Sequence, residues 1–385
     1  RGHPDLIILT SLFEPIGSMV ISEIDAFECQ QVTILYDLIP YEDPETYLVG
    51  KGELKNYNRL IQQLLKSDLI LSISNYTTKT FLQNFRDTSV APIITVGAAT
   101  NKRNSHGYLS KDTPFDLSTK FGIHEDYILT ISGQDKRKNL KTLLLAFSNL
   151  SVKDREKYQL VVVCNLERSA ISSFMKQFAH NCQLQKEIVF TGSVNEDDLD
   201  QLYSKCKLFV FPSLSEGFGL PVLEAMSFGC PCIVSNSTSL PDLVADAAVK
   251  FDPMDFYDLG RKIKELITDS AKLKTLSTLS MARSKKYSWS DVACKAAQAM
   301  LSLSSGKKNY FSIHHGKKGG KRVLKKLAYI SPFPPEKTGI SRYSLDLISY
   351  LSEFYDIYCV SNHRTSENLT DIDGKCLKVI SEAYL

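Results

Sequence analysis

Short apolar runs alternate with helical patterns along most of the chain, and this alternation restricts the fold more than any other feature. Nine runs have the length and composition of strands: Asp5–Leu9, Val32–Tyr36, Leu69–Ser72, Ile93–Val96, Tyr127–Ile131, Leu160–Cys164, Ile188–Thr191, Leu208–Phe211 and Cys232–Val234. Several are continuously apolar, as strands buried on both faces should be. Between them, Leu140, Leu143, Leu144 and Phe147 show the spacing of one helical face. The sequence therefore predicts an α/β protein with parallel sheets.

Two polar stretches divide the 385 residues, which are more than one hydrophobic core usually serves. Residues 101–113 are polar, and residues 303–322 are rich in lysine, glycine and serine, so both are interpreted as linkers. A new strand and helix pattern begins at Leu327. We therefore predict domains at 1–110 and 111–302, a basic linker at 303–322 and a carboxy-terminal βα fragment at 323–385.

Composition excludes some classes of protein. The net charge of +3 is too small to produce an electrostatic field that would attract nucleic acid. The longest apolar runs are too short to span a bilayer. The opening residues lack the pattern of a secretory leader. The nine cysteines are scattered, Cys230-Pro-Cys232 is their one close pair, and none has zinc spacing with histidine. We therefore expect free thiols and a cytoplasmic chain.

A glycine-rich loop follows the strand Leu208–Phe211. Gly217 and Gly219 would let the backbone approach a ligand closely, and Pro221 stands where a first helical turn favours proline. A helix is predicted over Val222–Phe228 and is expected to stop at Gly229. A strand, a glycine loop and a helix N-terminus together suit a phosphate, because free N–H groups and the helix dipole point at the anion.

Two carboxylates flank this loop. Glu216 lies in the loop, and Glu224 is predicted to lie on the first helical turn. Carboxylates accept hydrogen bonds from sugar and ribose hydroxyls. Each residue also has a structural interpretation, Glu216 as a solvated loop residue and Glu224 as a complement to the helix dipole. The glycines and Pro221 beside them favour the ligand-binding interpretation.

A second loop, at the end of the strand Tyr127–Ile131, is basic. Gly133 forms the turn, and Lys136, Arg137 and Lys138 stand just before a helix. Cations at the carboxyl end of a parallel strand suit a diphosphate that gains charge as it leaves. A solvated basic loop is the alternative. Placement beside Glu216 at the same sheet edge would favour the diphosphate.

Three segments together carry a resemblance to a known family. Phe190-Thr-Gly-Ser-Val194, Leu208-Phe-Val-Phe-Pro-Ser213 and Glu216-Gly-Phe-Gly-Leu-Pro-Val-Leu-Glu224 resemble the donor domain of glycosyltransferase family 4. The resemblance covers roughly residues 1–300. It implies the GT-B fold, with two facing Rossmann-like domains and the donor in the carboxy-terminal one. The amino-terminal domain is expected to be incomplete, because its opening βα unit is missing before Arg1.

The resemblance also implies roles for single residues. Glu216 would contact the donor sugar, Glu224 the ribose, and Arg137 with Lys138 the diphosphate. The base would lie near Ser193 and Val194. The predicted donor-binding set is Gly133, Arg137, Lys138, Ser193, Val194, Gly217, Phe218, Gly219, Leu220 and Glu224. One departure is Gln134, which stands where many members carry arginine, so Arg137 is taken as its substitute.

The amino-terminal segments Ser11-Leu-Phe-Glu-Pro15 and Val32-Thr-Ile-Leu-Tyr-Asp-Leu-Ile-Pro40 resemble a subgroup found in large tandem glycosyltransferases of bacterial surface polysaccharide synthesis. Many family members carry His-Asp where this chain has Tyr36 and Asp37. The catalytic candidates are therefore Glu216, Asp37 and Tyr36. Asp37 follows a strand end, so it could equally cap the next loop.

The tail from Leu327 to Tyr343 resembles the start of a family 4 acceptor domain, with Gly339 at the turn before its first helix. The simplest interpretation is two transferases in one polypeptide. In this chain we also predict that the tail docks onto residues 1–100, because an unpaired parallel edge is unfavourable. Leu327–Ile330 would then pair with Asp5–Leu9 or Val32–Tyr36, and Tyr355–Val360 would add a further strand.

The resemblance implies an enzyme, a retaining hexosyltransferase. It would move a hexose, with mannose from GDP-mannose as the subgroup's donor, to a polysaccharide or lipid-linked glycan. No Asp-x-Asp pair serves the donor loops, so we expect neither metal nor cofactor, and front-face attack in which the departing phosphate takes the acceptor's proton. A Rossmann oxidoreductase lacks its Gly-x-Gly-x-x-Gly fingerprint here. The remaining alternative is a non-catalytic half that positions glycan for a partner enzyme.

The second linker bears on membrane contact. Eight lysines and arginines lie between Lys307 and Lys326. Such a stretch attracts anionic bilayers, by about 1 kcal/mol per charge near the surface. Two interpretations remain, a solvated linker and peripheral contact with the inner face of the plasma membrane, where lipid-linked acceptors would lie.

Overall fold

Thirteen strands form two parallel sheets in the part of the chain that the structure, a computed structural model, describes. The described residues are 4–10, 12–13, 29–86, 91–101, 116–124, 126–133, 135–164, 170–244, 249–305, 324–333, 338–361 and 378–381. The strands are β1 Leu6–Leu9, β2 Gln30–Leu35, β3 Leu69–Ser72, β4 Ile93–Thr95, β5 Asp126–Ile131, β6 Tyr158–Val163, β7 Ile188–Gly192, β8 Leu208–Phe211, β9 Cys232–Ser235, β10 Lys250–Phe251, β11 Lys325–Ile330, β12 Tyr355–Ser361 and β13 Lys378–Ser381.

Helices connect most of the strands. They are Ile39–Glu42, Pro44–Tyr47, Glu53–Leu64, Asn75–Asn84, Leu117–Phe121, Leu140–Ser148, Val152–Arg155, Ala170–Asn181, Glu196–Lys205, Leu220–Ser227, Leu240–Leu243, Phe256–Thr268, Ser270–Ser284, Trp289–Ser305 and Gly339–Leu351, with a 3₁₀ turn at Lys136–Lys138. The chain divides into two units. Unit 1 contains residues 1–99 and 288–385, and unit 2 contains residues 100–287. The predicted α/β class with two Rossmann-like units is confirmed.

The sheet of unit 1 joins strands from both ends of the chain. Its order is β13-β12-β11-β1-β2-β3-β4, and the neighbouring strands are parallel. In β1, Leu6 is paired with Leu327 of β11 on one side and with Gln30 of β2 on the other. The Asp5 carboxylate accepts the backbone N–H of Lys326 at 2.7 Å. The predicted docking of the tail onto residues 1–100 is therefore confirmed.

The tail also contributes to the core of unit 1. Ala328 and Ile330 of β11 and Val360 of β12 belong to the same buried cluster as Ile7 and Leu9 of β1. β1 is buried along its whole length, which explains its continuously apolar sequence. The tail thus completes a two-sided core. The interpretation of the tail as the start of a second transferase stays a prediction.

Helix Trp289–Ser305 lies within the residues of unit 1. The edge of the Trp289 ring packs against Tyr343, with 4.8 Å between the ring centroids, and the Tyr343 hydroxyl donates to the carbonyl of Gly97 at 3.0 Å. The bounds predicted from the sequence, 111–302 for the second domain and 303–322 for the linker, put most of this helix in the second domain and its last three residues in the linker. The unit boundary therefore falls before the helix, at residue 288. The rest of that linker, 306–322, and residues 102–113 of the first linker lie outside the described residues.

The sheet of unit 2 has the order β10-β9-β8-β5-β6-β7. Its pairs are parallel, with Ile128 opposite Leu208 and Phe209 opposite Cys232. The carboxyl ends of β5, β8 and β9 are therefore neighbours at one edge. The strand β10 was not predicted, because two residues carry too little pattern.

We expect Leu327→Ala to destabilise unit 1 by about 2–5 kcal/mol, because it removes a fully buried side chain from the central strands. Trp289, the chain's one tryptophan, is buried in unit 1, so its fluorescence during urea unfolding reports on that unit. The urea midpoint should fall clearly. The matched control is Lys325→Ala on the same strand, whose side chain is exposed. Equal midpoints for both variants would contradict the docking of the tail.

Candidate functional site

Two loops of unit 2 meet at the carboxyl edge of its sheet. The first follows β8 and leads into helix Leu220–Ser227, and the second follows β5 and contains the turn Lys136–Lys138. β5 and β8 are neighbouring parallel strands, so their loops leave the sheet side by side. The structure thereby brings together the two loops that the sequence analysis singled out.

Gly219 determines where the helix begins. Its φ of 99° lies in the left-handed region, and a Cβ there would meet Leu240 Cδ2 at 2.6 Å. Pro221 occupies the first turn, as predicted. Because the helix starts at Leu220, Glu224 lies on the second turn, and the predicted first-turn placement is wrong. Its carboxylate is therefore on the side of the helix rather than at its N-terminus.

Glu216 is a buried carboxylate with cations around it. Only 7% of its surface is exposed. Lys138 Nζ lies 2.7 Å from Oε1, and Arg137 Nη1 lies 3.6 Å from Oε2. The Ser213 hydroxyl also donates to Oε1 at 2.7 Å. A carboxylate this buried needs such partners, because an uncompensated charge away from water is strongly unfavourable. The interpretation of Glu216 as a solvated loop residue is therefore wrong.

Backbone hydrogen bonds hold the two loops to each other. Leu214 N–H donates to the Arg137 carbonyl at 2.7 Å. The Asn139 side chain donates to the carbonyls of Pro212, at 3.1 Å, and Pro253, at 2.9 Å. Asn139 has a φ of 51°, a left-handed conformation that asparagine tolerates better than most residues. The basic loop is thus a fixed part of the site rather than a free surface loop.

The cations of the basic loop are oriented individually. Asp135 accepts the backbone N–H of Arg137 at 2.8 Å, and its other oxygen lies 2.9 Å from Arg137 Nε. Arg137 Nη1 also donates to the Ser215 carbonyl at 3.3 Å. Lys138 Nζ lies 5.0 Å from the centre of the Phe211 ring. Both cationic groups therefore lie beside the Glu216 loop, whereas Lys136 is exposed.

Glu224 is positioned by a buried tyrosine. The hydroxyl of Tyr203, on helix Glu196–Lys205, donates to Glu224 Oε2 at 3.0 Å. Tyr203 is fully buried, and burial, together with the charge of Glu224, raises its pKa well above the ordinary value. The tyrosine therefore stays protonated and remains a donor at physiological pH. Glu224 therefore accepts a hydrogen bond from a buried side chain, which its interpretation as a complement to the helix dipole does not include.

The remaining predicted donor-binding residues lie on the same edge of the sheet. Gly217 and Phe218 are buried, and the Phe218 ring packs against Tyr287 at 5.8 Å between centroids. Gly133 and Leu220 are partly exposed. Gln134, the departure from the family pattern, lies outside the described residues.

Ser193 and Val194 follow β7, which is separated from β5 by β6. Gly192, with a φ of 74°, turns the chain there, Ser193 is exposed and Val194 is half-buried. They share the carboxyl edge with the loops above but lie two strands away from β5. That place would suit a ligand group remote from the diphosphate.

Tyr36 and Asp37 belong to unit 1, where they follow β2. Asp37 Oδ1 accepts the backbone N–H of Ile39 at 3.1 Å, so the capping interpretation is confirmed. The edge of the Tyr36 ring packs against Tyr343, and its carbonyl accepts the Thr77 hydroxyl at 3.2 Å. The catalytic role of either residue stays a prediction.

Several residues of the site were not singled out from the sequence. Ser213 and Asn139 hold Glu216 and the basic loop, as described above. The Thr238 hydroxyl accepts the Glu216 N–H at 3.0 Å, and the Ser239 hydroxyl donates to the Glu216 carbonyl at 2.8 Å. The last two could have been found from the sequence, because they belong to the polar run 236–239, which follows β9, the strand next to β8.

Both loops lie in a segment of the chain that is similar to a known family. Residues 117–281, which contain both loops, match the family model of glycosyl transferases group 1. The serotype-specific mannosyltransferase WbdA of Escherichia coli is 29% identical over 302 residues, which are 78% of this chain and 37% of that protein. The O-antigen chain mannosyltransferase B of Escherichia coli is 28% identical over 272 residues, or 70% of this chain and 69% of that protein.

Solved structures identify the fold. Sucrose-phosphate synthase from Thermosynechococcus elongatus has a TM-score of 0.64 at 20% identity, covering 79% of this chain and 74% of that one. Anabaena HepE, solved with UDP and glucose, has a TM-score of 0.62 at 20% identity, covering 78% of each. The fold is GT-B, as the sequence analysis expected. Over residues 117–281 the chain is similar to glycosyl transferases group 1, and it spans little more than a third of WbdA.

The length and apolar character of the described helices decide whether any of them could span a membrane. Among the described helices, none combines the length and the apolar character needed to cross a bilayer. The predicted basic contact stretch begins at Lys307, and most of it lies outside the described residues.

Gly219→Ala should destabilise unit 2 more than Gly192→Ala does. Both glycines have a positive φ, which costs an alanine about 1–2 kcal/mol. Only at position 219 would the new Cβ also collide with Leu240, whereas nothing lies within 4 Å at position 192. Amide hydrogen exchange of helix Leu220–Ser227 measures the local effect. Equal exchange in the two variants would show that the helix start tolerates a side chain.

Proposed function

We propose that unit 2 binds a nucleotide diphosphate sugar and that the chain transfers its hexose, with retention of configuration, to a glycan hydroxyl. One observation carries the proposal. The Glu216 carboxylate, the Lys138 ammonium and the Arg137 guanidinium are held within hydrogen-bond or ion-pair distance of one another beside a helix N-terminus. A sugar diphosphate has the complementary groups, hydroxyls for the carboxylate and phosphate oxygens for the cations.

The diphosphate would displace Glu216 from the cations. In the structure, Glu216 neutralises Lys138 and Arg137 at 2.7 and 3.6 Å. Phosphate oxygens compete well for the same cations, and N–H groups of the helix starting at Leu220 add partial positive charge. The carboxylate oxygens would then accept sugar hydroxyls. Ser213, Thr238 and Ser239 would keep Glu216 in place during the exchange.

Glu224 is proposed to accept the ribose hydroxyls of the nucleotide. The Tyr203 hydroxyl donates to Glu224 Oε2 and so fixes the orientation of the Glu224 carboxylate. The carboxylate would accept the ribose hydroxyls with its other lone pairs. The pattern runs from Glu216 in the loop to Glu224 on the second helical turn, so one carboxylate would serve the sugar and the other the nucleoside. Ser193 and Val194, two strands further along the edge, are proposed to lie against the base.

The proposed chemistry uses the leaving group as the base. The acceptor hydroxyl oxygen forms a bond to the anomeric carbon on the face from which the diphosphate departs. The bond from that carbon to the diphosphate oxygen breaks, and the hydroxyl proton passes to the diphosphate. Lys138 and Arg137 would stabilise the charge that grows on the diphosphate, so this donor site is proposed to work without a metal. Tyr36 and Asp37 are the acceptor-side candidates.

Mannose is the proposed hexose and GDP-mannose the proposed donor. The support is that two relatives matched over 78% and 70% of this chain are named mannosyltransferases, the second of the O-antigen chain. A third, matched over 37% of this chain, is also named an O-antigen chain mannosyltransferase. The proposed acceptor is a growing polysaccharide or a lipid-linked glycan. Contact of the basic stretch, residues 307–326, with an anionic membrane would bring the chain to such an acceptor.

Glu216→Gln should reduce transfer by about 2–4 kcal/mol of transition-state stabilisation while nucleotide affinity stays equal or rises. The amide keeps the shape, loses the charge that holds sugar hydroxyls, and no longer competes with phosphate for Lys138. The measurement is kcat for GDP-mannose turnover together with calorimetric binding of GDP. Glu265→Gln, on an exposed helix face, is the matched control. Transfer within threefold of the parent chain would sink the assignment. Intact affinity without turnover in the parent would instead favour the non-catalytic half.

Lys138→Ala should weaken nucleoside diphosphate binding by roughly ten- to 150-fold, the range for losing one charge-assisted hydrogen bond of about 1.5–3 kcal/mol. Calorimetry with both GDP and UDP measures the loss without presupposing the base. Lys136→Ala lies on the same turn with an exposed side chain and should change little. If Lys136→Ala and Lys138→Ala weaken binding equally, only general charge acts there.

A further inference from the structure

Two cysteines of unit 2 face each other at the sheet edge opposite the donor loops. Cys206 follows helix Glu196–Lys205 and precedes β8, and Cys230 precedes β9. Their sulfur atoms lie 3.2 Å apart. β8 and β9 are neighbouring parallel strands, so the pair is held at the amino ends of two adjacent strands. A rigid sheet thus keeps the two sulfurs close enough to react.

An open cavity of about 280 Å³ leads to this pair. Cys206 is partly exposed, whereas Cys230 is only 2% exposed. Lys207 and Lys274 contribute to the cavity wall. Lys207 Nζ is paired with Asp126 at 3.2 Å, so Lys274 is the lysine counted on to attract small anionic reagents, and they would meet Cys206 first.

Both thiols donate to one backbone carbonyl, that of Tyr203. Cys230 Sγ lies 2.8 Å and Cys206 Sγ 3.4 Å from the Tyr203 oxygen. This carbonyl is in the last turn of its helix, where carbonyls lack a helical partner and need other donors. The same tyrosine holds Glu224 through its hydroxyl at 3.0 Å. Tyr203 therefore connects the sulfur pair with the proposed donor site.

We propose that Cys206 and Cys230 form a reversible disulfide, with a small anionic disulfide such as oxidised glutathione as the oxidant, and that its formation weakens nucleotide binding through Tyr203. The second part rests on the proposed role of Glu224. The first part rests on the sulfur geometry alone.

The reaction balances in two exchange steps. The Cys206 thiolate attacks one sulfur of oxidised glutathione, forms a mixed disulfide and releases one glutathione thiolate. Cys230 then loses its proton to solvent and attacks the Cys206 sulfur, releasing the second glutathione. Two protein thiols are oxidised and one glutathione disulfide is reduced.

Burial determines the order of these steps. It raises the pKa of the Cys230 thiol well above its ordinary value, so this residue is a poor first nucleophile. Once Cys206 carries the mixed disulfide, the closeness of the two sulfurs offsets that disadvantage. Cys232, buried nearby, directs its sulfur to the Cys230 carbonyl at 3.3 Å.

Disulfide formation must change the surroundings of Tyr203. A disulfide bond is about 2.05 Å long, so the sulfurs have to approach by roughly 1 Å from their present separation. Both S–H donors disappear, so the Tyr203 carbonyl loses the thiol donors that lie beside it. The end of helix Glu196–Lys205 should loosen, and the Tyr203 hydroxyl with it.

The chemical test treats the full chain with oxidised glutathione, blocks the remaining thiols and maps the peptides without reduction. We expect one linked pair, Cys206 with Cys230. Cys230→Ser should instead retain glutathione on Cys206, and Cys206→Ser should give no linked pair. Cys294→Ser, at a half-buried cysteine of unit 1, is the matched control and should leave the link intact. A parent chain without the link, or one in which Cys206 stops at the mixed disulfide, overturns the proposal.

The coupling test compares reduced and oxidised chain. Hydrogen exchange at residues 203–207 should rise about tenfold on oxidation, because the helix end loses its caps. Affinity for GDP and UDP should fall about two- to tenfold, the effect of weakening one hydrogen bond, and recover with a thiol reductant. Cys206→Ser should show neither change.

The two proposals can fail separately. A reduced chain that binds neither nucleotide refutes the proposed function, while peptide mapping still decides on the disulfide. A linked chain whose nucleotide affinity and exchange are unchanged overturns the coupling through Tyr203.

Discussion

A charged side chain away from water needs compensation, and the donor edge of unit 2 is arranged around that need of Glu216. Lys138 and Arg137 reach it from the loop after β5, and Ser213 from the end of β8. Ser239, after β9, holds its carbonyl. Three neighbouring loops are thereby tied to one residue. The cations and the carboxylate keep each other in position, so the groups proposed to bind the donor are already gathered without it.

Much of this edge could be predicted because parallel strands bring their carboxyl ends together. The glycines and Pro221 marked a loop that enters a helix, and the cations followed the neighbouring strand. Tyr203 could not be predicted, because its helical spacing is that of a core residue and its contact with Glu224 exists only after two helices pack. The start of the helix at Leu220 was also missed, since Gly219 could be assigned to the turn only once its φ was known.

For the carboxy-terminal strands, too, one part of the structure could be predicted from the sequence pattern and another part depends on packing. β1 is continuously apolar, which indicates a strand buried on both faces of a sheet. Such an interior strand needs a hydrogen-bonded strand along each of its two edges, and this need was evident from the sequence. Pairing with β11 meets that need, as the tail prediction required. The membership of helix Trp289–Ser305 in unit 1 was not evident, because an apolar helical face packs equally well on either sheet. The contact between Trp289 and Tyr343 decides it.

The pairing of β1 with β11 has a consequence for how the chain acquires its structure during synthesis. Residues 100–287 are continuous in sequence, so unit 2 can fold as soon as the ribosome has released them. β1 is made before β11 and must wait for this partner about 320 residues later, as Leu6 does for Leu327. The side of β1 that pairs with β11 lacks its partner strand during that interval. A nascent chain of this kind offers a chaperone an early, long-lived binding segment at β1.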